Sequence, residues 1–169
     1  MLILHAEDVI MSPKKISVWI LLAALGVAVC GTTIYAYIIP VWAQSLVYSN
    51  PEFSSWYWPW MCFLWATAIP CYIVLLFVFK ISGEVKNDNS FSYQTAKYLK
   101  NIAVLIFVDI ACFFVGNIVL FFLNMNHPGI LFVSLIIDIV GIVIALVAVI
   151  LSHFVYKAAI LQEESNGTV

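Results

Sequence analysis

Two aspartates, Asp109 and Asp138, stand inside long apolar runs of this 169-residue chain, and they are its strongest candidates for chemistry. A charged carboxylate at the centre of a membrane helix costs roughly 3 kcal/mol on insertion scales. Each must therefore be neutralised, hydrogen-bonded or turned toward a polar interior. Three readings follow: a neutral Asp donating a hydrogen bond to a neighbouring helix, a proton- or cation-responsive site, or a chance placement facing lipid. Lost hydration and mutual repulsion both disfavour a doubly ionised pair, so at least one carboxyl is expected to be protonated at neutral pH.

The residues around them fit a position facing other helices. Cys112 and Gly116 follow Asp109 at i+3 and i+7. Ser134, Gly141, Ala145, Ala148 and Ser152 make a stripe of small residues around Asp138, and such stripes let helices approach closely. Further polar candidates are Thr32, Thr33 and Thr67 toward the outside, Tyr72 toward the inside, and Asn117. Asp109, Asp138, Asn117, Thr67 and Tyr72 thus form the candidate intramembrane polar site. Pro70 frees a backbone carbonyl in the same zone, a feature common in membrane helices.

No other constellation reads as catalytic. Cys30, Cys62, Cys71 and Cys112 lie in apolar runs without CxxC or zinc spacing and are expected to be small buried residues. His153 is fifteen residues beyond Asp138, about 22 Å along a helix, too far to pair with it. There is no Ser/His/Asp or Cys/His arrangement and no glycine-rich phosphate loop. The expectation is no catalytic residue, no cofactor and no metal site.

The elements that must position the two acids are membrane helices. The chain is 64% hydrophobic and only 9% charged, and its mean hydropathy is +1.07. Soluble domains run nearer a quarter charged, so that class is excluded. A net charge of −2 and the absence of arginine argue against a nucleic-acid surface. Four apolar runs reach bilayer length, at about 16–39, 60–79, 101–123 and 129–156. Pro40 closes the first, and residues 82–89 read as an exposed link after the second. Asn124 to Gly129 is a tight turn, which makes the last two spans a hairpin. The expected fold is an all-α four-helix transmembrane bundle forming a single integral membrane domain over 1–169. At 1.5 Å per residue, Asp109 lies about 12 Å into the third span and Asp138 about 14 Å into the fourth, both near the bilayer middle.

The lysines orient it. Lys14, Lys15, Lys80, Lys86, Lys97, Lys100 and Lys157 all fall on one face of a four-span arrangement, while Glu52 and His127 are the candidate charges opposite. By the positive-inside rule both termini are cytoplasmic, in a bacterial inner membrane. Val41-Trp42-Ala43 loosely resembles a signal-peptidase site, but the first apolar run is too long for a signal and is expected to be retained. Met11-Ser-Pro-Lys-Lys looks like a short natural start, and the sequence leaves open whether Met1 or Met11 begins the protein.

Two connections carry more than turns. The outer one is aromatic-rich and includes Trp42, Trp56, Tyr57, Trp58 and Trp60. Such rings settle at headgroup level, so this band reads either as an interfacial anchor or as a lip gripping an amphipathic molecule or another membrane protein. In the cytoplasmic one, Ser92 is placed to cap a helix starting at Tyr93 and running into span three. Phe91, Thr95, Leu99 and Ile102 would share one face of it.

The order of features resembles an uncharacterised bacterial four-helix membrane-protein family, domain of unknown function 2975. The resemblance rests on Ile39-Pro40, Gly83, Phe91 followed by the run Ala96 to Ala103, and the acidic tail Leu161 to Val169. It implies a membrane component of a small regulatory or stress-response pair, with a small cytoplasmic helix-turn-helix regulator as partner, in a Gram-positive-type bacterium. It implies no activity, cofactor or catalytic residue, and the start before Met11 departs from the family's short N-terminus.

Three functions compete. The leading one is a non-enzymatic accessory or regulatory component acting through partner contacts, with the lipid bilayer, a homo-oligomer or a membrane-protein partner around it. The second is a small proton- or cation-coupled transporter using Asp109 and Asp138. The third, a lipid- or quinone-directed membrane enzyme, needs a pocket joining the cysteines or His153 to the interface.

Overall fold

The computed structural model describes residues 12–167. The alternative start at Met11, the preceding extension and the last two residues of the acidic tail lie outside the described residues. Four helical rods are long and apolar enough to cross a membrane. A spanning segment has no water to satisfy its backbone, so every N–H and C=O must find a partner within the helix or on a neighbour. No more than 17% of the most apolar window of any rod is buried, which leaves broad Ile, Val and Leu faces for lipid tails. The protein is an all-α, four-helix membrane-spanning bundle.

The first rod is α1 (Pro13–Thr33), a π-helical turn (Ile34–Ile38) and α2 (Ile39–Ser49). A 3₁₀ turn (Pro51–Trp56) leads into α3 (Tyr57–Lys86), followed by α4 (Tyr93–Phe122) and α5 (Pro128–Gly167). Pro40 does not close the first rod as its position suggested. In a regular α-helix its ring would meet the carbonyl four residues back. The π turn avoids this by shifting register, and the Ile39 N–H bonds to the carbonyl of Ile34, five residues back. The helix then runs on to Ser49, so much of the aromatic outer connection is itself helical.

A second correction concerns the exposed link. Residues 82–86 continue α3, and Ser82 and Val85 are buried. The helix stops only at Lys86, where Asp88 takes a left-handed conformation (φ 58°). Asp88 N–H then bonds to Val85 C=O and Asn89 N–H to Glu84 C=O. The same device ends α4. Asn124 is left-handed (φ 56°), with Asn124 N–H to Phe121 C=O and Met125 N–H to Leu120 C=O. Ser92 caps α4 through its hydroxyl, which accepts from the Thr95 N–H at 3.1 Å. Thr95 and Ile102 face the bundle, whereas Phe91 is exposed because it precedes the cap and sits outside the helix that would have turned it inward.

Among the described residues, backbone-close packing joins only rods that are neighbours in sequence: first with second, α3 with α4, and α4 with α5. The rods alternate in direction. Ser17 meets Ser82, Thr32 meets Tyr72, Cys71 meets Asp109 and Ser152 meets the backbone of Ala96. All seven lysines therefore collect at one end, with the turn after Lys86, and Glu52 and His127 lie at the other.

Candidate functional site

Gly116 and Gly141 set the spacing at the centre. A Cβ on Gly116 would overlap the Phe63 ring of α3, which lies flat on Phe113 with centroids 5.5 Å apart. A Cβ on Gly141 would come within 2.9 Å of Ile110 on α4. Helix α4 thus takes an aromatic ring against one bare backbone patch and α5 lays another such patch against it, the close approach that small residues permit.

Along α5, Ser134, Asp138, Ala145 and Ala148 are all buried, at the spacing of one helix face. Asp138 is only 5% exposed. Neither of its carboxyl oxygens has a hydrogen-bond partner, and Asp109 Oδ1 is likewise buried without one. Asp109 Oδ2 accepts from the Cys71 thiol at 3.7 Å, and the two aspartates lie within electrostatic reach of each other.

The polar groups continue across the remaining rods. Thr32 Oγ1 donates to the Ala28 carbonyl (2.8 Å), so its 2.7 Å contact with Tyr72 is donated by the tyrosine. The Tyr35 side chain lies beside Thr67, whose own hydroxyl donates to Leu64 C=O at 2.8 Å. Thr32 and Tyr35 on the first rod, Thr67, Cys71 and Tyr72 on α3, Asp109 on α4 and Asp138 on α5 thus form one transverse polar layer. Thr32 and Tyr72 sit at the same level rather than toward opposite faces of the membrane. Thr33 turns away and donates to its own helix at Val29 C=O, 2.9 Å.

Asn117 stands apart from the carboxyls. It is 1% exposed, donates to Phe113 C=O (2.9 Å) and accepts through its side-chain oxygen from Asn126 at 3.2 Å, which fastens the α4–α5 turn. Trp60 serves the same turn by donating its indole N–H to Met125 C=O at 2.7 Å. The remaining aromatic-lip residues divide. Trp56 stacks on Phe53 (4.5 Å), and Tyr57 accepts weakly from Gln44 at 3.4 Å. Trp42 and Trp58 are exposed.

The cysteines differ from expectation: all four are exposed free thiols, although Cys71 also reaches Asp109. In an open row of helices few positions are buried, and among the described residues most of those are held by Ala, Ser, Thr, Asn or Asp. An apolar groove of about 700 Å³ lies between the first rod and α3, lined by Tyr35, Trp65, Tyr72 and Phe79 among others, and neither His153 nor any cysteine lines it. Among the described residues, no three His, Cys, Asp or Glu side chains converge as metal ligands.

Three features escaped the sequence. Tyr35 and Cys71 join the acids only through helix register. Ser17 and Ser82 form a reciprocal knot at the lysine-rich end, each hydroxyl 2.8 Å from the other's backbone carbonyl and the two oxygens 3.0 Å apart. The third is the carbonyl of Tyr35. In the π register it would be answered by residue 40, but a proline has no N–H, and the Trp65 indole donates to it instead at 3.2 Å. Pro40 was the available signal for that last feature.

Comparison with known proteins agrees with this architecture. A curated relative, the uncharacterised membrane protein YoaS of Bacillus subtilis (strain 168), is 31% identical over 110 residues, covering 63% of this chain and 68% of that protein. No solved structure matches the chain. The family described as protein of unknown function (DUF2975) matches residues 41–169, which include both aspartates, α3, α4 and α5. This chain is a bacterial multi-pass membrane protein belonging to the DUF2975 family.

Proposed function

We propose that this protein is a non-enzymatic accessory or regulatory component that works through contacts with a partner in the membrane, with both termini in the cytoplasm. The observation that carries this reading is the open row of helices. Among the described residues α5 has backbone-close packing only with α4, and Ile136, Ile139, Val140 and Val143 on its flanks are exposed. A second copy or another membrane protein can lie there at little cost in lost lipid contact. The lysine-rich end supports the orientation.

Photo-crosslinking residues placed singly along α5 in native membranes test the first claim. A discrete protein adduct confined to one flank is expected, and lipid adducts alone around the whole helix would overturn it. Labelling of single cysteines near Lys86 and near Asn124 in intact cells tests orientation, with protection expected at the first and reaction at the second.

The unpartnered carboxyl oxygens favour a second reading, a small proton- or cation-coupled transporter built on Asp109 and Asp138. Its mark is a flux in reconstituted vesicles that Asp109→Asn and Asp138→Asn each reduce. Equal behaviour of the parent and both variants would sink it.

A further inference from the structure

Among the described residues, Asp138 keeps both carboxyl oxygens buried without a hydrogen-bond partner, and Asp109 keeps one. A buried ionised carboxylate without partners is among the most unfavourable groups a fold can hold, and the usual resolution is to take up a proton or a cation. The ligand set discriminates between these. A bare metal ion needs roughly six oxygen ligands. Here the Cys71 thiol bonds to Asp109, neither Asp138 oxygen has a hydrogen-bond partner, and the Ile110–Gly141 approach leaves α5 close against α4. A proton needs no such shell.

We propose that Asp109 and Asp138 form a proton-binding site that, while occupied, keeps α5 closed against α4. This deepens the proton- or cation-responsive reading and rests on it. It is independent of any partner on the outer flank. The titratable groups facing the site are few. α5 contributes Asp138, α4 Asp109 and α3 Cys71, with Tyr72 of α3 and Tyr35 of the first rod one step further along the polar layer. Among the described residues, no lysine or histidine faces the site. A bound proton removes charge from the interface; its loss leaves an anion between two closely packed helices, which draws in water and separates them. A site that holds its proton more tightly folded than unfolded loses stability as pH rises through the range where that proton leaves.

The test uses the full chain, purified and reconstituted in neutral-lipid vesicles, without partner. Infrared difference spectra followed with pH should show a protonated-carboxyl band at neutral pH that disappears on alkalinisation, and thermal stability should fall over the same range. Asp138→Asn should abolish the band change and flatten the stability profile, with Asp109→Asn as the second variant should the first not fold. Two fully ionised carboxyls at neutral pH would overturn the proposal, as would a band and pH slope unchanged in either Asn variant. A titration displaced when Na⁺, K⁺ or Mg²⁺ is added at constant ionic strength would also overturn it in favour of a metal cation. Failure of the crosslinking experiment above bears only on the partner reading and leaves this result untouched.

Discussion

Two buried polar sites in this protein solve opposite problems. Between the first rod and α3, Ser17 and Ser82 exchange hydroxyl-to-carbonyl bonds in both directions, and nothing in the knot is left over. Between α4 and α5, Asp138 is buried almost as deeply yet keeps two oxygens without a partner. Both interfaces are built from small residues, so packing does not distinguish them. What does is hydrogen-bond completeness. A closed network is a fastener, because every group lost from water is repaid by a protein partner. An incomplete one is held in place by its surroundings at a cost to stability, and is where a ligand or a proton has something to gain.

The largest effect that can break this contrast is Gly116→Ala. It forces the Phe63 ring off α4 and disturbs the packing that holds Asp109 near Cys71, with a destabilisation of about 2 kcal/mol or more, measured by thermal unfolding in detergent. Little or no loss would mean that α3 and α4 tolerate separation and that the polar layer is loosely held. Next comes Asp138→Leu. If the carboxyl is a strained, unpaired group, replacing it with an apolar side chain raises stability by about 1–3 kcal/mol at alkaline pH, even as any proton response is lost. If Asp138 is glue between helices, the same substitution lowers stability, and the comparison drawn above fails.

The seryl knot is expected to be smaller. Ser17→Ala and Ser82→Ala each cost about 0.6–1.5 kcal/mol, and a double-mutant cycle shows most of that loss shared, because each hydroxyl serves the other's carbonyl. Additive losses would mean that the knot is two unrelated bonds. The smallest effect is Trp65→Phe, which removes the donor to the Tyr35 carbonyl at the π turn and costs about 0.5–1 kcal/mol. Combining it with Pro40→Ala should recover part of that loss, since a backbone N–H at position 40 gives the first rod another way to satisfy its carbonyls.

Much of the architecture was legible along the chain. Four apolar runs of bilayer length, the turn of helix-stopping residues from Asn124 to Gly129, and the Ser92 cap each act over a few residues, so their physics is local. The stripe from Ser134 through Asp138 to Ala148 could be read for the same reason, since residues at that spacing share a helix face whatever lies opposite. Helix ends were less legible. Pro40 looked like a stop because the α register cannot hold it, but one π turn can. Ser82 looked like the start of a link because the apolar run ends at Lys80, yet its hydroxyl found a buried partner sixty-five residues away.

The sequence by itself determined that the chain has four spans of bilayer length, that its lysines gather at one end, and that two carboxyls lie well inside the third and fourth apolar runs. Hydropathy, charge placement and a rise of 1.5 Å per residue suffice for those statements. Only the tertiary structure decided which of the candidate polar residues meet. It aligned Cys71 with Asp109 and brought Asp138 within electrostatic reach of Asp109, set Asn117 aside to fasten a turn, and left the cysteines exposed. Those outcomes depend on the register and order in which whole helices pack. That is fixed by where glycine and alanine allow close approach between rods, and no spacing within a single helix contains it.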